Sequence, residues 1–95
     1  MLFMVHMRVE APRSGEELEL FATAKEAERS FAMDLQRRGV WKELWRIAGL
    51  YENFSLFEVQ NLEELHEVLE KLPLRPWLAL AIHPLVRHPS RIDAR

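Results

Sequence analysis

Lys25 and Glu28 stand three residues apart in a stretch with helical periodicity, and Arg46 sits between Trp45 and Ile47 in a stretch that alternates like a strand. A carboxylate beside an ammonium on an exposed helix reads first as a solvated ion pair, which contributes only a few tenths of a kcal/mol. Held at the edge of a cleft between helix and sheet, the same carboxylate has its pKa raised by desolvation and can move a proton near neutrality. Arg46 is the sharper anomaly, because Leu44 and Ala48 share its strand face. Burying an unpaired guanidinium costs several kcal/mol, so it calls for a carboxylate, supplied either by the protein or by a ligand. The four histidines, at positions 6, 66, 83 and 88, show neither His-x-x-x-His nor His-Glu-x-x-His spacing, and no metal site is expected. His66, among Leu62, Leu65 and Leu69, reads as a hydrogen-bonded, half-buried histidine or as a catalytic one. His88 lies in Arg87-His88-Pro89-Ser90, within an irregular C-terminal arm over residues 84–95 that can reach across a subunit boundary. Structural and functional roles both stay open for it. Trp41, Trp45 and Trp77 read as core residues before ligand platforms. No Gly-rich phosphate loop, Gly-x-Ser-x-Gly elbow or nucleic-acid motif is present.

These residues must be positioned by one domain, since 95 residues leave room for no more. Surface scaling predicts about 5,700 Å² accessible for a folded chain of this size, with about two-thirds of the unfolded surface buried. Hydrophobic residues make up 48% and charged residues 29%, a globular balance, and no apolar run approaches the ~20 residues of a membrane span. The opening Met-Leu-Phe-Met-Val lacks a basic segment before it and soon meets His6, Arg8 and Glu10, unlike a signal peptide. A cytoplasmic protein with no membrane partner is expected. The absence of cysteine excludes disulfides, thiolate metal sites and cysteine nucleophiles. Thirteen basic and fifteen acidic side chains nearly cancel to −2, so no global field attracts nucleic acid and any anion site must be local.

The elements follow from periodicity. Leu2 to Val9 alternates as a strand with Phe3, Val5, Met7 and Val9 on its core face. Ser14 and Glu17 have capping-box spacing at the start of a long helix whose stripe is Leu20, Ala24, Ala27, Phe31 and Leu35, placing Lys25 and Glu28 just off its edge. Gly39 ends that helix. Val40 to Gly49 reads as a strand with Trp41, Trp45 and Ile47 on one face and Val40, Leu44 and Ala48 on the other. Tyr51-Glu52-Asn53 turns the chain into Phe54 to Val59, whose Phe54 and Leu56 oppose Asn53, Ser55 and Phe57. Asn61 caps a second helix with Glu64 at the reciprocal position and Leu62, Leu65, Leu69 and Leu72 on its apolar side. Pro73 stops it, and Trp77 to Ile82 reads as a buried strand. Strand, helix, strand, strand, helix, strand is the α+β, ferredoxin-like βαββαβ order, with both helices on one sheet face. Large apolar residues on the other face imply an oligomer whose sheets bury each other.

The runs Arg38-Gly39-Val40-Trp41 and Leu44-Trp45-Arg46-Ile47-Ala48-Gly49-Leu50-Tyr51-Glu52-Asn53-Phe54-Ser55 resemble the muconolactone delta-isomerase family. So do Phe57-Glu58-Val59, Leu65-His66, Leu72-Pro73-Leu74-Arg75-Pro76 and the closing Arg87-His88-Pro89-Ser90-Arg91-Ile92. The resemblance implies a sheet-to-sheet dimer of ferredoxin-like subunits (a dimeric α/β barrel) within a larger ring-like oligomer such as a decamer. It also implies cofactor-independent conversion of muconolactone to 3-oxoadipate enol-lactone in the β-ketoadipate route of catechol degradation. Carried over by position, it makes Glu28 the proton shuttle and Lys25 and Arg46 the carboxylate or enolate stabilisers. Asn53 and Ser55 become donors to the lactone ring, and Tyr51, His66 and His88 further substrate-binding residues. Met4 and Leu50 stand where the family commonly carries histidine, so two polar positions are apolar here. The alternative reading is a non-catalytic oligomeric member that binds an acidic product of aromatic breakdown.

Overall fold

Alternation in the first strand sets the layering. In the computed structural model, which describes residues 1–92, β1 (Leu2–Val9) turns Phe3, Val5 and Met7 into the core and leaves Arg8 exposed. The order continues with α1 (Glu16–Arg37), β2 (Trp41–Arg46), β3 (Glu52–Glu58), α2 (Leu62–Glu70), a 3-10 turn at Arg75–Trp77, and β4 (Leu78–Leu85). The antiparallel sheet runs β2-β3-β1-β4, the ferredoxin-like arrangement. Phe57 opposite Phe3, Ser55 opposite Val5 and Leu80 opposite Met7 share the helix-side face. Phe21, Ala32 and Leu35 of α1 and Leu65 and Leu69 of α2 close the core over it.

Several details depart from the expected pattern, each for a physical reason. Gly15, not Ser14, is the N-cap of α1: its φ of 78° makes the sharp entry, and no side chain caps the helix. The apolar stripe of α1 is rotated by about one residue, through Phe21, Ala24, Phe31, Ala32 and Leu35, while Leu20 and Ala27 are exposed. In β2 a bulge at Lys42 sets two residues against one on β3, since Trp41 faces Phe57 while Glu43 faces Leu56. The extra residue switches parity, so Trp41, Leu44 and Arg46 share the helix-side face and Trp45 goes to the other. Asn61 does cap α2, accepting from the Glu64 N–H at 2.8 Å, whereas the Glu64 carboxylate returns to the Gln60 N–H at 2.7 Å. Leu62 is exposed, and the buried side of α2 is Leu65 and Leu69, continued by Leu72. The last strand starts at Leu78 and runs to Leu85, so the irregular arm begins at Val86; residues 93–95 of the expected arm lie outside the described ones. No helix among the described residues is long and apolar enough to cross a membrane.

Candidate active site

The rotation of α1 and the bulge in β2 together build one cleft. Helical offsets of four from Ala24 and three to Phe31 put Glu28 inside the apolar stripe, not beside it. The parity switch turns Leu44 and Arg46 toward the same space. A cleft of about 940 Å³ results, walled by α1 on one side and by β2 and β3 on the other, with Met7, Val9, Trp41, Leu74 and Leu78 among its apolar surfaces.

Glu28 is a half-buried carboxylate of the cleft, and burial pushes its pKa above the ordinary 4.5, opposed in part by the Leu74 hydrogen bond. That bond runs from the Leu74 backbone N–H to Oε1 at 3.1 Å. One carboxylate oxygen is thereby fixed by a loop amide, which aims the other without neutralising it. Lys25, one turn earlier on the helix, is exposed and lies 5.2 Å from the Phe21 ring centroid. Arg46 is exposed rather than buried, so the expected desolvation cost does not arise; its guanidinium lies 5.6 Å from the Tyr51 ring centroid. Neither cation forms an ion pair among the described residues. Asn53 faces the cleft beside Arg46. Ser55 is wholly buried and stands behind Asn53, donating its hydroxyl to the Asn53 Oδ1 at 2.7 Å. That contact turns the Asn53 amide so that its NH₂ is the group left to donate.

Of the eight residues singled out in the sequence, Lys25, Glu28, Arg46, Tyr51 and Asn53 line this cleft. His66 does not: it lies with Leu62, Glu67 and Ile82 at a separate depression between α2 and β4. His88 is exposed in the arm, where its Nδ1 accepts from the Ser90 N–H at 3.0 Å. Met4 faces away from the helices, opposite Leu56 and His83, and Leu50 is exposed in the β2–β3 turn; neither lines the cleft. Sequence reasoning missed Arg29 and Trp41 as wall residues. Arg29 had a signal in its i,i+4 spacing from Lys25. Trp41 had none, because the bulge decides its side. Among the described residues no three His, Asp or Glu side chains gather as a metal site.

Comparison with known proteins gives a consistent result across sequence and structure. A family model described as muconolactone delta-isomerase matches residues 1–91. The muconolactone delta-isomerase of Pseudomonas aeruginosa is 45% identical over 94 residues, covering 99% of this chain and 97% of that one. That of Acinetobacter baylyi is 41% identical over 92 residues, covering 97% and 95%. A crystal structure of muconolactone isomerase superposes with a TM-score of 0.89 at 42% identity, over 100% of this chain and 98% of that one. A 5-chloro-2-hydroxyhydroquinone dehydrochlorinase from Burkholderia phenoliruptrix shares the fold, with a TM-score of 0.63 at 15% identity over 93% and 96% of the two chains. Matched from end to end in sequence and backbone, the chain belongs to the muconolactone delta-isomerase family.

Proposed function

We propose that this protein isomerises muconolactone to 3-oxoadipate enol-lactone in catechol degradation, with Glu28 carrying the proton. The supporting observation is a half-buried carboxylate of raised pKa in a cleft whose cations Lys25 and Arg46 form no ion pair among the described residues. The C–H bond at the ring carbon bearing the carboxymethyl group breaks, and the proton passes to the free oxygen of Glu28. Its electron pair spreads through the ring onto the lactone carbonyl oxygen as a dienolate. The proton then returns to the carbon next to that carbonyl, so the double bond moves and Glu28 leaves as it began. The step is redox-neutral and transfers only a proton, so it balances without a co-reactant. Lys25 and Arg46 attract the substrate carboxylate from the cleft's exposed walls, with Tyr51 supporting the guanidinium. Asn53 donates to the ring, held in register by Ser55.

The functional particle is a homo-oligomer built from sheet-to-sheet dimers. The uncovered sheet face carries Trp45, Phe54 and Leu85, which are 49%, 40% and 38% exposed in the single chain. Such a patch favours burial against a second copy. In that assembly the arm can bring His88 to a neighbouring subunit. His66, facing a different depression, serves α2 and its surroundings.

The test is direct. Purified protein mixed with muconolactone in heavy water should give enol-lactone far faster than buffer does, followed by absorbance, with NMR reporting the proton's return. A protein that leaves muconolactone unchanged at high enzyme concentration overturns the proposal.

A further inference from the structure

Trp41 is 3% exposed and lines the cleft, yet its indole Nε1–H is buried without a hydrogen-bond partner among the described residues. An orphaned buried donor costs about 1–3 kcal/mol, and native proteins hold very few of them. Its ring cannot readily turn away: it stacks on Phe57 with centroids 4.9 Å apart and a 28° angle between planes. The other two indoles differ, since Trp77 donates to Glu17 at 3.0 Å and Trp45 lies exposed on the opposite sheet face. We propose that the Trp41 indole N–H is the hydrogen-bond donor to the lactone carbonyl oxygen, where negative charge develops as the ring loses its proton.

This role for Trp41 rests on the isomerase reading and adds a residue to it. The substrate has two oxygen-rich ends, a carboxylate and a lactone carbonyl. Lys25, Arg29 and Arg46 stand on the exposed walls of the cleft, a hydrated setting suited to a carboxylate that is charged throughout the reaction. Trp41 stands with Met7, Leu74 and Leu78 on its buried, apolar side. A neutral donor in such surroundings interacts weakly with a ground-state carbonyl and much more strongly with the charge that forms there, and it cannot be neutralised by the base. The N–H is shielded from water in the unliganded chain, so a ligand reaches it when an exposed side chain of the same wall, Met33, Leu44 or Gln36, turns aside while the Trp41 ring stays on Phe57.

Two measurements test this. In Trp41→Phe, which keeps an aromatic ring against Phe57 and deletes the N–H, kcat for muconolactone should fall about tenfold to a hundredfold while KM stays within about twofold. In wild-type protein, saturation with 5-oxotetrahydrofuran-2-acetic acid, a saturated lactone acid that cannot be isomerised, should move the Trp41 indole proton downfield. That resonance is assigned by its absence in Trp41→Phe. Wild-type kcat in a folded Trp41→Phe, or an indole proton unmoved at saturation, overturns the assignment. A change confined to KM also overturns it, because it places the donor on the carboxylate. Wild-type protein inert toward muconolactone removes the isomerase reading and this role together, an outcome separable from the others because it appears before any substitution is made.

Discussion

Glu28 occupies a position that helical periodicity reserves for an apolar side chain, and the cost of placing a carboxylate there is the source of its chemistry. Burial holds its proton more tightly in the folded protein than in the unfolded chain. Between the ordinary carboxylate pKa and the raised one, the unfolded chain therefore binds fewer protons, and stability declines as pH rises through that window. Below the window the penalty is absent; above it, the penalty is complete. Glu28→Gln keeps the side chain's shape and an acceptor for the Leu74 N–H while removing the charge. Its kcat should fall at least about 100-fold, and its thermal midpoint at pH 7 should equal or exceed wild type. Turnover at the wild-type rate would remove Glu28 as proton carrier, and a lower midpoint at neutral pH would refute the desolvation account.

The bulge in β2 decides at the level of the strand what no side chain decides alone. Before Lys42 the strand shows Trp41 to the helices; after it, Leu44 and Arg46 take that side. Deleting Lys42 closes the bulge and leaves Trp41, Leu44 and Arg46 on the helix-side face by plain alternation, with every other pairing to β3 kept. Truncating the buried Trp41 itself forfeits packing worth about 3–5 kcal/mol, a large part of a small domain's stability of about 5–15 kcal/mol. The deletion should therefore fold with a thermal midpoint within about five degrees of wild type and retain isomerisation, as should Lys42→Ala, whereas Trp41→Ala should lower the midpoint by about ten degrees or more. A deletion variant that unfolds or loses isomerisation would contradict this account of the bulge. The same bulge marks the limit of what periodicity reveals. The parity of β1 and β3, the order of elements and the Asn61 cap were legible because one regular period or one hydrogen bond determines each. The side of Trp41 was not, because Lys42 has no side-chain signature of an inserted residue. The face of α1 was ambiguous for a different reason: Leu18, Leu20, Ala22 and Met33 spread apolar character around the helix, and only packing against Met7, Trp41 and Leu74 selects Phe21, Ala24, Glu28 and Leu35. Glu28 was therefore found by its spacing from Lys25, and its depth was not.

At the scale of the molecule, the single chain exposes 6938 Å² and has a Cα radius of gyration of 14.9 Å. Surface scaling allows about 5,700 Å² and compact packing about 12 Å for this length. The surplus is roughly 1,200 Å², and exposed apolar side chains on the open sheet face (Trp45, Phe54, Leu85) and in the arm (Val86, Ile92) contribute to it. Light scattering at micromolar concentration should report a multiple of the 11.3 kDa chain mass. Phe54→Asp, which puts a charge on the open sheet face, should reduce that mass. A monomer of wild-type protein would rule out assembly through the sheet. The hydrogen bond from Leu74 to Glu28, which joins residues 46 positions apart, has a spectroscopic use. As Glu28 takes up its proton, its oxygen becomes a poorer acceptor and the Leu74 amide proton should shift upfield. Titrating that one backbone resonance in the resting protein reads the base's charge directly, with no substrate present. Its inflection should lie above 4.5 and coincide with the acid limb of kcat/KM; an inflection at or below 4.5 would contradict the raised pKa. A loop amide on the far wall thus serves as a built-in indicator dye for the proton carrier.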